Sequence, residues 1–175
     1  MIGAVRVEVV TTFRLTILMA ATLTTGMLAG LYYGWSTSVM PGLNRVTPRA
    51  AIEGFRGMDA AIINPVFMMS FLGAPFLAAG AAALLLGKDH RALLWGVGAA
   101  ALLNVAGLIT TAAFNVPLNN HVHRLGDPAS IADPAKEWSD FYGPWMLWHN
   151  IRTAGHTVAF ALLSWALILL GRKTI

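Results

Sequence analysis

The stretch that decides the fold is WSDFYGPWMLWHNIRTAGHTVAFALLSWALILL, which covers residues 138–170. Its first half contains three of the six tryptophans and two of the five histidines, together with Arg152. Its second half, after His156, carries no charge and is almost entirely apolar. A helix needs about 20 apolar residues to cross a bilayer, so the aromatic half must contribute to the span. We therefore predict a membrane helix from about Trp145 to Leu170 with an arginine inside it.

The composition of the chain is typical of a membrane protein. Of 175 residues, 57% are hydrophobic and 11% are charged, whereas soluble domains have roughly 45–50% and about 25%. The lysines and arginines are scattered singly near segment ends, which is typical of membrane-flanking cations and argues against nucleic acid as a partner. The absence of cysteine excludes disulfides and thiolate metal sites. We predict a single membrane domain over residues 1–175.

Three further apolar segments precede this helix and predict an all-α, integral membrane four-helix bundle. Between the first and second spans, Thr47 and Pro48 are typical of a helix N-terminus. The residues that follow, to about Ile63, carry apolar and charged side chains at helical spacing, which predicts a short amphipathic helix at the membrane interface. The four spans are predicted at about 15–40, 65–87, 92–114 and 145–170.

Prolines and glycines modify the predicted spans. Pro41 is expected to end the first span, and Pro117 to break or kink the third helix where it leaves the membrane. Gly26, Gly30 and Gly34 recur every four residues on one face of the first span. Such a face lets a neighbouring backbone approach closely, either within the bundle or in a homo-oligomer.

Four spans place both termini on the same side of the membrane. Cations close to span ends on short segments set the orientation most strongly, and Lys88, Arg91, Arg172 and Lys173 meet that description on the side of the termini. We therefore predict a multi-pass protein of the plasma (cell inner) membrane with both termini in the cytoplasm. The two polar loops then lie on the other side, together with the aromatic stretch.

One face of the fourth helix gathers aromatic, histidine and arginine side chains, because residues three, four and seven positions apart lie together. We expect this face to point into the bundle, since an arginine that faces lipid is costly. The alternatives are an arginine that reaches the interface, tryptophans that form an aromatic belt, and histidines with purely structural hydrogen bonds. The face consists of Trp145, Trp148, His149, Arg152 and His156.

A group of asparagines lies on the same side of the membrane, beside two prolines at span ends. They either cap helices and satisfy backbone groups freed by proline, or they donate hydrogen bonds into a pocket beside the aromatic face. The residues are Asn64, Asn115, Asn119 and Asn120.

The spacing of the histidines bears on cofactors. His149 and His156 are about 10.5 Å apart along a helix, so they cannot both bind one metal ion at bond lengths of about 2 Å. His121 and His123 could chelate only with further ligands, and no His-x-x-His, Glu-x-x-His or intramembrane carboxylate supplies them. We predict no metal or other cofactor. Haem or copper bound by His149 or His156 is the alternative.

Several motifs resemble those of the anthrone-oxygenase-like family of small four-span membrane proteins, in the family's order and over nearly the whole chain. They are Gly34-Trp35, Val39-Met40-Pro41-Gly42-Leu43, Asn64-Pro65-Val66-Phe67, Gly73-Ala74-Pro75, Asn115-Val116-Pro117-Leu118-Asn119-Asn120, and Trp138 and Trp145 with Trp148-His149-Asn150-Ile151-Arg152-Thr153. The family often has Trp-Asn-His before this arginine, and the different order here turns the imidazole by about 100° around the helix.

The resemblance implies an oxygenase, because some fungal members oxidise anthrones to anthraquinones with molecular oxygen and without metal or flavin. We predict a hydrophobic polycyclic phenol that reaches the site from the bilayer. His149 is the expected general base, while Arg152 and Asn119 are expected to stabilise the oxyanion. Trp145 and Trp148 are expected to stack on the substrate. The remaining predicted pocket residues are Asn64, Asn115, Asn120 and His156.

Two other functions fit the same residues. One is a non-catalytic membrane protein whose groove binds a quinone or a lipid through Arg152. The other is a haem or copper redox protein that uses His149 or His156. Oxygen uptake with an anthrone separates the oxygenase from the binding protein, and an absorption spectrum with metal analysis identifies the redox protein.

Overall fold

A computed structural model of the chain describes residues 2–87 and 90–172, so Lys88 and Lys173, which enter the orientation prediction, lie outside the described residues. The described part consists of helices, turns and short loops without a strand, which confirms the all-α prediction. Its α-helices are α1 (Ile2–Gly34), α2 (Met40–Leu43), α3 (Pro48–Ile62), α4 (Pro65–Ala83), α5 (Arg91–Thr110), α6 (Val116–Arg124) and α7 (Pro134–Arg172).

Two π-helical turns join α-helices end to end. The turn π1 (Trp35–Val39) links α1 to α2, and π2 (Thr111–Asn115) links α5 to α6. Each is followed two residues later by a proline, which lacks the N–H and crowds the carbonyl four residues earlier. A wider turn accommodates that defect without interrupting the helix. The first span accordingly ends just beyond Pro41. At Pro117 the helix does not break, because it continues to Arg124, and the irregularity expected near this proline is the turn π2.

Four of the helical segments in the described part are long and apolar enough to cross a membrane, as predicted. Around the bundle, α1 contacts α4 and α7, and α5 contacts the same two helices. Consecutive spans are therefore neighbours, in an up-down-up-down arrangement with short connections. The segments are Val9–Leu43, Pro65–Ala83, Arg91–Arg124 and Pro134–Arg172.

The end of the bundle farther from α3 is densely packed, and we call it the packed end. Small side chains on all four helices let the backbones approach closely, and leucines fill the remaining space. The fully or almost fully buried residues of the packed end include Leu18, Ala21, Ala78, Ala81, Val97, Ala100, Ala159 and Leu163.

The amphipathic helix α3 covers the opposite end of the bundle. The Thr47 side chain accepts a hydrogen bond from the backbone N–H of Ala50, and Pro48 occupies the first turn, which is the predicted start. Ile52 and Phe55 are fully buried in a cluster with the aromatic residues at the start of α7. The predicted interfacial helix is therefore confirmed, and its apolar face caps the bundle.

The glycine face of α1 is used only in part. A Cβ at Gly26 would lie 2.8 Å from the Phe160 ring, so this glycine permits the contact between α1 and α7. Gly30 and Gly34 have nothing within 4 Å of such a Cβ. Packing within the bundle thus explains one of the three glycines.

Candidate functional site

A cavity of about 300 Å³ lies beneath α3, between the π turns and α7. Its volume is at the lower end of the roughly 300–1,000 Å³ typical of small-molecule sites. The walls are aromatic and aliphatic on the α4 side and polar on the α6 and α7 side. The lining residues are Tyr32, Trp35, Asp59, Ile62, Ile63, Phe67, Met68, Phe71, Thr111, Asn115, Val116, Asn119, Asn120, Trp145, His149 and Arg152.

Arg152 provides a buried positive charge on the cavity wall. Only 8% of the residue is exposed, and among the described side chains no carboxylate forms a salt bridge with it. Its two terminal nitrogens donate to Thr111 Oγ1 at 2.8 Å and to His149 Nδ1 at 2.9 Å. The guanidinium carbon lies 4.5 Å from the centre of the Tyr32 ring. The buried Nε–H has no partner, so the site offers an unused donor on a cation that has no direct carboxylate partner among the described residues.

His149 is held between Arg152 and α1. A guanidinium can only donate, so His149 Nδ1 is the acceptor and the ring proton lies on Nε2. That N–H donates to the Tyr32 carbonyl at 3.0 Å, and the ring stacks on Trp145 with centroids 4.5 Å apart. Both nitrogens of the neutral imidazole are thus occupied. These bonds argue against the predicted role of His149 as general base, because no lone pair remains free for a proton.

The asparagines of π2 and α6 form part of the cavity wall. Asn119 donates to Asp59 Oδ1 at 2.7 Å and accepts from the Trp145 indole N–H at 2.8 Å. One of the two amide N–H groups of Asn119 is thus engaged with Asp59, and its predicted role as an oxyanion donor stays a prediction. Asn115 donates to the Trp145 carbonyl at 3.2 Å, while its buried Oδ1 has no partner. Asn120 is exposed at the edge of the cavity.

Two predicted pocket residues do not line the cavity and have local roles. Trp148 stacks on Phe114 with ring centroids 3.6 Å apart and an angle of 6° between the planes. It lies at the edge of the helix face, about 100° from the neighbouring His149. Asn64 caps α4, because its Oδ1 accepts from the backbone N–H of Phe67 at 3.0 Å. Of the two roles predicted for the asparagines, capping a helix or donating into a pocket, Asn64 therefore has the first.

His156 also lies outside the cavity, in a polar layer at the middle of the bundle. Its Nδ1 is 2.8 Å from Asn104 Oδ1, and the Asn104 amide donates to Thr25 at 3.1 Å. The carbonyl oxygen can only accept, so Nδ1 carries the proton. Nε2 is buried without a partner against Gly107, where a Cβ would lie only 2.5 Å away.

The position of these histidines bears on the haem or copper alternative. In the described part of the chain, no three His, Cys, Asp or Glu residues come together as a metal site. The imidazole of His149 has no free nitrogen, and the free nitrogen of His156 faces a helix backbone rather than the cavity. The prediction that the protein needs no cofactor stays a prediction.

Sequence reasoning missed Tyr32, Asp59 and Thr111 as site residues. Asp59 is four residues after Phe55 and seven after Ile52, so it lies on the buried face of α3. A carboxylate at an otherwise apolar position of an amphipathic helix could have identified Asp59 as a site residue. Tyr32 and Thr111 gave none, because their roles depend on helix contacts made by α7.

Among known proteins, one family model matches the chain. The family described as anthrone oxygenase matches residues 65–162, from the start of α4 into the last third of α7. Neither the curated proteins nor the solved structures contain a match. The matched segment includes π2, α6, His149 and Arg152, and it covers more than half of the chain. The protein belongs to the anthrone oxygenase family.

Proposed function

We propose that the protein is a membrane-embedded oxygenase that oxidises a flat hydrophobic phenol of the anthrone class with molecular oxygen. The observation that carries this proposal is Arg152, a buried cation with an unused N–H on the wall of a mostly apolar cavity. A buried charge without a carboxylate partner is costly, so it indicates a ligand that becomes negative there. Family membership supports the same class of reaction.

The chemistry needs an anion and oxygen but no external reductant. Loss of a proton from the anthrone methylene leaves a carbanion whose charge is delocalised onto the carbonyl oxygen. The carbanion adds to oxygen and gives a peroxide. Loss of the second methylene proton with cleavage of the O–O bond then yields the quinone carbonyl and water. The methylene carbon loses four electrons and oxygen accepts four, so atoms and electrons balance.

Arg152 is the group that stabilises the developing oxyanion in this proposal. A preorganised donor in a site that excludes water is worth more than in solution. The guanidinium is held in place by Thr111, by His149 and by the face of Tyr32. We therefore assign to His149 the positioning of Arg152, and to Asn119 and Trp145 the shape of the adjoining wall.

The apolar side of the cavity is suited to the aromatic rings of the substrate. Phe67 and Phe71 are stacked with centroids 5.4 Å apart, and they line the cavity beside Ile62. Ile63 and Val116 also line it and are 70% and 41% exposed, so part of the opening is apolar. A hydrophobic substrate would then reach the site from the bilayer without crossing water.

Oxygen uptake by the purified protein in lipid nanodiscs tests this function. With an anthrone as substrate, we expect uptake and anthraquinone formation well above protein-free nanodiscs, and a loss of about 10²–10³-fold on Arg152→Gln. Arg124→Gln is the matched control, because Arg124 is exposed at the end of α6 and does not line the cavity. If anthraquinone binds but no oxygen is consumed, the protein is the quinone-binding alternative instead.

We also propose that the protein resides in the plasma membrane with both termini in the cytoplasm. The absence of cysteine allows a clean test by single substitutions. In intact cells, Ala129→Cys in the loop before α7 should react with a membrane-impermeant maleimide, whereas Arg172→Cys should react only after permeabilisation. The reverse pattern would show the opposite orientation. That the protein forms a homo-oligomer stays a prediction.

A further inference from the structure

The cavity is lined by one carboxylate among the described residues, that of Asp59. Asp59 lies in the last turn of α3, and its side chain is 17% exposed. It has no salt bridge with Arg152, although both side chains line the same cavity. An acceptor and a cation thus face one space without neutralising each other directly.

Two hydrogen bonds hold the Asp59 carboxylate in position. Asn119 donates to Oδ1 at 2.7 Å, and His123 Nε2 lies 2.9 Å from Oδ2. The indole N–H of Trp145 occupies the Asn119 amide oxygen, which directs the amide N–H toward Asp59. A carboxylate has about four lone-pair sites, so two hydrogen bonds leave it with acceptor capacity. His149 has no such capacity.

The charged groups around Asp59 come from three helices. Arg152 of α7 lines the same cavity, and His123 of α6 bonds directly to the carboxylate. Arg56, one turn earlier on α3, donates to the Val122 carbonyl. Two guanidinium groups and an imidazole that bonds to the carboxylate thus surround Asp59, and none of the three is an acid.

We propose that Asp59 is the catalytic base of the oxygenation, with Asn119 and His123 as positioning residues; this rests on the proposed function. The methylene C–H bond breaks, its electron pair stays on the substrate, and the proton forms an O–H bond with Asp59. The resulting oxyanion faces Arg152. The carbanion adds to oxygen as a peroxide anion. The second methylene C–H bond and the O–O bond then break, and that proton leaves with the terminal oxygen as hydroxide. The proton held by Asp59 converts the hydroxide to water, which restores the carboxylate.

Hydrogen exchange without oxygen isolates the step assigned to Asp59. Under anaerobic conditions in D₂O, the wild-type protein in nanodiscs should exchange the anthrone methylene hydrogens faster than protein-free nanodiscs. We expect Asp59→Asn to lose at least about 100-fold of this acceleration, within the range for general bases. His123→Gln, which keeps a donor for Asp59, should retain most of it.

The chain offers a matched control for the acid–histidine pair. His121 Nε2 lies 2.9 Å from Glu137 Oε2, a carboxylate–histidine contact at the same distance but between α6 and α7, and neither residue lines the cavity. Glu137→Gln should therefore exchange substrate hydrogens at the wild-type rate. Because a variant at position 59 could also unfold, Asp59→Ala is tested with added formate, which should restore exchange by supplying a carboxylate.

The outcomes separate the base assignment from the oxygenase proposal. If the wild-type protein and Asp59→Asn exchange the methylene hydrogens at the same rate and both still consume oxygen, the role of Asp59 is overturned and the oxygenase proposal stands. A wild-type protein with neither exchange nor uptake would overturn both proposals. Loss of exchange in Asp59→Asn with rescue of Asp59→Ala by formate is the result expected for the base.

Discussion

The two ends of the four-helix bundle use the same helices in opposite ways. At the packed end, alanines such as Ala81 and Ala100 bring the helices together, and aliphatic side chains fill the core. At the other end, which we call the cavity end, π turns and the cover formed by α3 leave space around Arg152. The same long helices run through both ends of the bundle. The difference therefore shows that the cavity is formed by local helix geometry, at the π turns.

A polar layer separates the two ends. Thr25, Asn104 and His156 come from three different helices and are hydrogen-bonded to one another. All three are almost fully buried, so these hydrogen bonds satisfy polar atoms that have no access to water. The layer is connected to the cavity through Tyr32, whose ring contacts both His149 and His156.

Among the residues that hold Arg152 in place, the largest effect is expected from His149→Ala. The change removes one of the two side-chain acceptors of Arg152, and we expect kcat/KM for anthrone oxidation to fall about 100-fold, or about 2.7 kcal/mol. His149→Gln can accept from Arg152 and donate to the Tyr32 carbonyl, so it should recover at least half of that loss in free energy. Equal inactivity of both variants would instead support His149 as the base. Oxygen-uptake kinetics measure the difference.

Gly107→Ala should disturb the layer between the two ends. A Cβ at this position would lie 2.5 Å from His156 Nε2, so the imidazole must move away from Asn104. We expect a destabilisation of about 1–3 kcal/mol, measured as a lower thermal transition in detergent. Gly98→Ala on the same helix is the control, because nothing lies within 4 Å of its added Cβ. An unchanged transition would show that this layer tolerates repacking.

The smallest effect is expected from Thr111→Val at the start of π2. This change removes the hydroxyl that accepts from Arg152 at 2.8 Å but keeps the side-chain shape. The guanidinium retains His149 and Tyr32, so we expect a loss of about 1 kcal/mol, which is about 5-fold in kcat/KM. Thermal stability should change less than turnover. A loss of stability without a loss of turnover would place Thr111 in folding rather than in the site.

The spans and the interfacial helix were predictable because long apolar segments and an amphipathic repeat leave few alternatives. The inward direction of Arg152 followed from the cost of charge in lipid. The π turns were not predictable from Pro41 and Pro117, since proline can also end a helix. The partners of Asn119 and His149 could not be predicted either, because they are set by contacts between helices distant in sequence.

Labelled oxygen provides the most direct test of the central claim that the Arg152 cavity oxidises an anthrone. With ¹⁸O₂ and the wild-type protein in nanodiscs, we predict rapid formation of anthraquinone that carries one ¹⁸O atom, with the other in water. The rate should fall about 10²–10³-fold in Arg152→Gln and stay unchanged in Arg124→Gln. Labelled quinone formed no faster with the wild-type protein than without it would contradict the account.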